Sequence, residues 1–548
     1  MLEKLPTELL DHIFVFVHPK QLLTLRLCNQ WANGLVQFSS CAQYRIECWA
    51  AGVTDDRIHQ LSYSESLSLL RQREARWQSG RPLKKVKIGV QSADADGGVG
   101  LYDLNGGMLA LGRGRTGFSI LKLPSLYDSP NSDSREWRHH DLGADIIDFA
   151  LAEEDDDLIA VVTSKRLEDI PLGTDFLGME TTTCCFDLHI YSASSGDPHP
   201  RSLNPIVQLN HKRDVVHAPS AAIQVLGDYI VVLLFNTEVY GDEYTDELYC
   251  VNWKTGTNTL LSTYQARTYQ CPVVLSASLI LLPNMRSNTL DLYTFHGLNA
   301  SKRSTPRLTP RGSLDLPPIS SAFTMVGYQC ISRPGLGLNA ENHPIRVRSS
   351  PEDALVVFAP LYRPQGLRRA TLIVHRRILL SAAALLISAH GNGGPSIPYA
   401  RWGAGRCSWG SGSVQWITML AGQRLCARSA WIPSVRGEIP LSVRDYNPHN
   451  VRRALSSLNK RDGDSGIGDG VIDPAVTRVV VPGPGEKVTF GGLFVEGVES
   501  RLPYVETKIE VEDDVRTMTY MLDDERLIGI EQSPASLNVH NLHIQVFG

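Results

Sequence analysis

Two stretches of the sequence share one design. Asp187-Leu188-His189-Ile190-Tyr191-Ser192-Ala193-Ser194-Ser195-Gly196 and Glu247-Leu248-Tyr249-Cys250-Val251-Asn252-Trp253-Lys254-Thr255-Gly256 each read as a strand that ends in a Ser/Thr-Gly turn. Each follows an apolar run behind acidic residues, at 157–162 and 228–234. The same couplet, an apolar strand and then an alternating strand, recurs at 108–111 with 118–123, 279–282 with 290–295, and 354–358 with 372–375. Weaker copies stand at 424–428 with 441–446 and 526–530 with 542–547. Continuous apolar runs are expected where both faces of a strand are packed between neighbours.

Seven couplets of this kind predict a seven-bladed β-propeller, whose radial repetition limits exposed sheet edges. A pair of β-sandwiches is the competing arrangement, and seven couplets in one chain favour the propeller. The spacing averages roughly 60 residues per unit, against about 40–45 for an ordinary blade, so long insertions are required. Polar stretches rich in turn formers at 129–135, 299–311, 391–398 and 459–473 are expected to be loops on the propeller faces, where partners are read.

Composition narrows the function classes. The chain has 53 Lys+Arg against 58 Asp+Glu, a net charge of −5, which argues against a general nucleic-acid binder. No run of about 18 apolar residues suggests a membrane span. The N-terminal stretch carries acids within its apolar run and lacks the layout of a signal peptide. The ten cysteines are scattered without a CxxC pair, as expected in a reducing compartment. Cytoplasmic and/or nuclear residence, with no membrane and no nucleic-acid partner, is the expectation.

The first 80 residues read as helices. Leu9, Leu10, Ile13, Phe14 and Val17 recur on one helical face, with Pro6 at the first helical position. His18-Pro19 ends this helix, and Pro19 opens a second with Leu22, Leu23 and Leu25. A third segment carries Cys28, Trp31, Leu35 and Val36. A fourth follows Ser39-Ser40 and stops near Gly52, and a fifth opens with the capping-box spacing Ser62-x-x-Glu65.

The run Leu5-Pro6-Thr7-Glu8-Leu9-Leu10-Asp11-His12-Ile13-Phe14, then Pro19, Leu22-Leu23-Thr24-Leu25-Arg26-Leu27-Cys28 and Trp31, resembles an F-box. That motif belongs to the substrate-receptor subunits of SCF-type cullin–RING ubiquitin ligases. Leu25 to Trp31 is one residue shorter than the usual spacing, so the third helix is expected to be shifted or strained. Tyr44-Arg45-Ile46-Glu47-Cys48-Trp49-Ala50-Ala51-Gly52, Arg444-Asp445-Tyr446-Asn447-Pro448 and Leu522-Asp523-Asp524-Glu525-Arg526-Leu527-Ile528-Gly529 are similar to segments of a group of fungal F-box proteins.

The resemblance implies an α+β multidomain chain: F-box helices over 1–45, a helical linker over 46–85 and a mainly β, propeller-like domain over 86–548. It implies that Leu5, Pro6, Leu9, Leu10, Ile13, Phe14, Pro19, Leu22, Leu23, Leu25 and Trp31 form the surface for a Skp-type adaptor and its supporting core. Through that adaptor the partner is a cullin, and the propeller would hold an unknown substrate protein. No cofactor, metal or catalytic group is expected. The alternative is a scaffold protein whose F-box-like helices cap the propeller, with Ile13 and Phe14 packed on the blades.

Other motifs match by letters alone. Gly112-Arg113-Gly114-Arg115-Thr116-Gly117 is a literal GxGxxG, but 118–123 alternates as a strand where a dinucleotide site needs a helix, so a hairpin turn is expected. Gly463-Asp464-Ser465-Gly466 has no matching histidine motif, and its aspartates miss the EF-hand spacing. His139-His140 and His540-x-x-His543 lack further ligands for zinc. The run 153–157 reads as a solvated acidic turn, and Lys84-Lys85-Val86-Lys87 as the basic edge of the helical-to-β junction. Trp402, Trp409 and Trp416 read as packing residues.

Overall fold

The computed structural model describes residues 5–55, 61–90, 100–126, 136–152, 156–167, 173–174, 180–216, 220–236, 244–297, 305–332, 347–363, 368–388, 396–410, 418–428, 441–461, 476–483, 485–511, 518–532 and 539–548. It is mainly β, with a helical N-terminal region. The helices are α1 (Thr7–Phe14), α2 (Pro19–Arg26), α3 (Gln30–Phe38), α4 (Ser40–Ala51) and α5 (Tyr63–Ser79). Their ends follow local chemistry. Asn29 and Ser39 accept from the backbone N–H of Ala32 and Ala42 to start α3 and α4. Gly52 stops α4 in the left-handed conformation at φ 68°, and the Ser62–Glu65 capping box opens α5. Pro6 is the N-cap residue of α1 and not its first helical residue, because Leu9 and Leu10 already bond to its carbonyl. The expected boundary at 45/46 falls inside the continuous helix α4.

Among the described residues, seven sheets of four or five strands follow in chain order, antiparallel except where Ser396–Ile397 joins the fourth in parallel with Ser313 and Leu314. The first spans 102–141, the second 145–216, the third 220–265 and the fourth 273–315. The fifth spans 324–410, the sixth 420–508 and the seventh 518–546. The outer strand of the seventh sheet is Lys84–Gly89, which pairs with the chain's last strand from Lys84↔Val546 to Gly89↔Asn541. Each of the seven couplets supplies the two middle strands of one sheet.

The apolar runs divide their side chains between two neighbours, as period-two alternation requires. Leu158, Ala160 and Val162 pack toward the third sheet, whereas Ile159 and Val161 pack toward the first. Ile230 and Val232 likewise face the second sheet while Val231 and Leu233 face the fourth. The pattern continues through Phe358 to the fourth sheet and Val357 to the sixth, then through Val443 to the seventh. Leu109 and Leu121 of the first sheet meet Ile528, Leu542 and Ile544 of the seventh. Every sheet therefore shares a core cluster with the next, and the last shares one with the first.

Two insertions carry helices: α6 (Arg376–Ser388) within the fifth sheet and α8 (Pro448–Arg461) within the sixth, with the short α7 (Tyr399–Trp402) between them. Residues 459–461 are thus helical and residues 307–311 lie in the strand Arg307–Asp315, where the sequence suggested loops. The remainder of 459–473, residues 129–135, 299–304 and 391–395 lie outside the described residues.

Leu542 is fully buried in the cluster that joins the last sheet to the first. Leu542→Ala is expected to cost about 2–5 kcal/mol, read as a lower urea midpoint. The exposed Leu260, replaced by Ala, is expected to stay within about 0.5 kcal/mol. A second expectation concerns pH. His375 ends the strand Thr371–His375, and burial pulls its imidazole pKa down to about 4. The unfolded imidazole takes its proton near 6.5, so between these values the unfolded state binds the extra proton and stability falls as pH drops. His375 should account for up to about 3 kcal/mol of that loss, and His375→Gln should flatten the stability profile in this window.

Candidate functional site

The helical region divides its apolar residues into two sets. Phe14, Leu22, Val36, Cys41, Ala42 and Ile46 form a closed cluster, with Leu23, Leu25 and Leu35 packed against it. Every member of this buried cluster comes from α1 to α4. Leu10 is buried as well. The chain segments are tied by Ser39, whose hydroxyl donates to Asp11, and by Arg45, which donates to the carbonyl of Val17 at 3.1 Å. The second set faces solvent. Leu5, Leu9, Ile13 and Trp31 are 36%, 49%, 40% and 37% exposed. Pro6 is exposed and Pro19 half-buried.

Of the residues expected at the adaptor surface, Leu10, Phe14 and Leu22 are therefore interior, and Leu5, Pro6, Leu9, Ile13 and Trp31 are on the surface. The spacing before Trp31 leaves no mark: α3 begins at Gln30 with an Asn29 cap, and Trp31 sits in its first turn. The structure adds Phe16, Leu27 and Phe38, each more than four-fifths exposed, which helical periodicity did not single out. Seven large apolar side chains are thus exposed among the described residues of α1–α3 and their flanks.

A second feature is the junction between helices and sheets. Trp77 of α5 stacks on Phe547 with ring centroids 4.0 Å apart, and the Arg424 guanidinium lies 5.2 Å from the Trp77 ring. Glu74 sits between Arg73 at 2.9 Å and Arg424 at 2.5 Å, and Asp445 stands 3.5 Å from Arg424. All of these side chains are largely buried. Burial pulls the Arg424 pKa down, but Glu74, Asp445 and Asp524 outweigh it and hold the guanidinium above its ordinary value. Burial pushes the Asp445 carboxyl up, with Arg424 opposing.

The two late motifs converge here. Asp445 accepts from the Asn447 backbone at 2.9 Å, and the Asn447 amide donates to the carbonyl of Ala50 at the end of α4. Asp523 caps the turn at Glu525 and Arg526 and pairs with Arg526 at 2.6 Å. Arg73 donates to the Asp524 carbonyl at 2.7 Å, and Asp524 accepts from Ser349. The strand Val53–Asp55 after α4 pairs with Val347–Ser349 of the fifth sheet's insertion. The motifs thus fasten the helices to the fifth, sixth and seventh sheets.

A cavity of about 330 Å³ lies elsewhere, bordered by the strand that comes first in the first, second, third and fifth sheets, by Gln270 and Cys271 just before the fourth, and by Thr418 just before the sixth. Asp148 lines it, and burial pushes this carboxyl up to about 8. Among the described residues no cluster of three or more His, Cys, Asp and Glu could hold a metal ion. The GxGxxG stretch is a hairpin, with Gly114 at φ 61° in the turn between Met108–Arg113 and Gly117–Lys122. His139 contacts Ser119, His140 stacks on Phe118, and His543 contacts Glu531. Lys84–Lys87 lies in a paired strand. Asp157 accepts from Ser192 and Ser194, while residues 153–155 lie outside the described residues. Trp402 and Trp409 are buried and donate to Asp315 and Tyr399. Trp416 and 463–466 lie outside the described residues. No described helix is long and apolar enough to cross a membrane.

No protein-family model matches the chain, and no curated protein matches it. Solved structures do. The chain is similar to the WD40 domain of SCAP from fission yeast at 9% identity, over 82% of each chain, with a TM-score of 0.32. It is similar to Hsv2 from Kluyveromyces marxianus at 10% identity, over 79% of this chain and 89% of that one, with a TM-score of 0.28. Its match to Kluyveromyces lactis Hsv2, at 10% identity and a TM-score of 0.22, covers 38% of this chain and spans only 60% of that chain's length.

Removing one partner of a buried ion pair leaves the other uncompensated. Glu74→Ala is expected to lower stability by about 3–5 kcal/mol, and Arg424→Ala by a similar amount, because it uncovers Glu74 and Asp445 together. Glu74→Ala combined with Arg424→Ala should cost less than the sum of the two, read from the denaturant midpoints of the wild type, the two single variants and the double variant.

Proposed function

We propose that this chain is the substrate-receptor subunit of an SCF-type cullin–RING ubiquitin ligase. In this reading α1–α3 are an F-box that docks on a Skp-type adaptor and, through it, a cullin. The observation that carries it is the division of the helical residues. Leu10, Phe14 and Leu22 are buried within the helical region, whereas Leu5, Leu9, Ile13 and Trp31 are exposed apolar side chains among the described residues. A helical cap would direct Ile13 and Phe14 onto the sheets. Ile13 is instead two-fifths exposed, and Phe14 packs among the helices.

The seven sheets are read as the blades of one seven-bladed propeller. What supports this is the circular sequence of inter-sheet clusters, together with the cavity bordered by the first strands of the first, second, third and fifth sheets. The propeller presents a surface to a substrate protein, and the chain supplies no chemistry of its own. Its mechanism is proximity: a rigid scaffold raises the effective concentration of substrate lysines near a ubiquitin-conjugating enzyme.

Co-purification with a recombinant Skp-type adaptor tests the reading. Leu9→Ala with Ile13→Ala should cut adaptor binding at least tenfold, because apolar anchors at an interface centre cost about 2 kcal/mol or more each when truncated. The thermal midpoint should barely move, since both residues are exposed. Phe14→Ala should lose stability and binding together, by about 3–5 kcal/mol in the helical core. Undiminished adaptor on the Leu9/Ile13 double variant, or none on the intact chain, would defeat the assignment.

A further inference from the structure

We propose that Cys271 and Cys330 are a peroxide-responsive dithiol, which closes a disulfide across the wall between the fourth and fifth sheets. Cys330 lies in Thr324–Ile331, the first strand of the fifth sheet, and Cys271 lies just before Val273–Ser276, the first strand of the fourth. Their sulfurs are 2.8 Å apart. A bonded pair needs about 2.05 Å, so closure asks for a shift of less than about 1 Å.

The backbone around the pair is already clipped together. The Gln270 side chain accepts from the Tyr328 N–H at 2.7 Å, and the Cys271 sulfur lies 3.8 Å from the Tyr328 carbonyl. Both cysteines are half-buried and both border the cavity, which gives a small oxidant a route to them. Cys184, Cys185, Cys250, Cys407 and Cys426 are buried, and Cys28 stands at the surface of the helices.

The chemistry balances with hydrogen peroxide as oxidant. The Cys271 thiolate attacks one peroxide oxygen, an S–O bond forms, the O–O bond breaks, and the departing hydroxide takes up a proton as water. The Cys330 sulfur then attacks the Cys271 sulfur. An S–S bond forms, the S–O bond breaks, and the leaving hydroxide combines with the Cys330 proton as a second water. Two thiols lose two protons and two electrons, and one peroxide becomes two waters. Burial, and then the hydrogen bond shared with Cys271, keep the Cys330 thiol protonated well beyond the usual range, which leaves Cys271 as the sulfur that opens the reaction.

The test treats the intact, folded chain with a few equivalents of hydrogen peroxide and maps its unreduced peptides by mass spectrometry. The expected result is a loss of about 2 Da, reversed by dithiothreitol, in a peptide that joins Cys271 to Cys330. In the presence of dimedone, Cys330→Ser should accumulate the adduct of a sulfenic acid at Cys271, whereas Cys271→Ser should leave Cys330 unmodified at the same dose. The oxidised wild-type chain should also melt a few degrees higher than the reduced one, because the bridge constrains the unfolded state. Recovery of both wild-type peptides as free thiols or as sulfinic acids, with no linked peptide, would overturn the proposal. A mass loss that maps to another cysteine pair would do the same.

Discussion

The pairing of Lys84–Gly89 with the last strand of the chain holds the rest of the structure in place. Each sheet has two apolar faces, because its middle strands are apolar at successive positions. Such a face can be covered only by another like it. Six contacts between consecutive sheets leave one face of the first and one of the last still open. The cluster of Leu109, Leu121, Ile528, Leu542 and Ile544 covers both. The Lys84–Gly89 strand completes the last sheet and carries Val86 and Ile88 against the same cluster. The pairing therefore adds the outer strand of the last sheet and joins it to the cluster shared with the first.

The position of that strand also explains the junction. It begins five residues after α5 ends, so the sheets and the helical region are tied at one place. A short connection alone would leave the helices free to swing. The charges at Glu74, Arg424, Asp445 and Asp524, with the stacked rings of Trp77 and Phe547, remove that freedom. Buried ions are a costly way to gain stability, but they are selective about geometry, since each needs its partners in one arrangement. The apolar surface at Leu9 and Ile13 is therefore held in a defined orientation to the sheets. A proximity mechanism depends on such an orientation.

The middle of each sheet could be read from the chain because packing on both faces leaves a pattern that little else produces. The apolar run 158–162 and its partner ending at Gly196 became neighbouring strands of one sheet. First and outer strands left weaker marks. Thr257–Gln265 is mostly polar because one side meets water, and Leu420–Ala421 is too short to show a period. The helix Arg376–Ser388 follows the strand ending at His375 with no glycine or proline between them, so no boundary marked it, although its run of Ala and Leu favours a helix. For the candidate site, periodicity found the apolar helical residues but could not separate neighbours such as Leu9 and Leu10. Which of the two is interior depends on where α3 and α4 sit. The ion network was hidden more deeply, because Glu74 and Arg424 are 350 residues apart.

The closing strand also sets a timetable. Lys84–Gly89 leaves the ribosome long before its partner exists, and at about 5–20 residues per second the roughly 450 intervening residues take about 20–90 s to make. The helices before it can form during that interval from their own buried cluster, whose members all lie within residues 14–46. The apolar helical surface is thus on display while the first sheet still lacks its final neighbour. A nascent chain is able to meet a partner through its helices before its body has closed, and a chain cut short before the last strand keeps the helices but never covers the outer face of its first sheet. Assembly and quality control would then compete over the same half-made molecule.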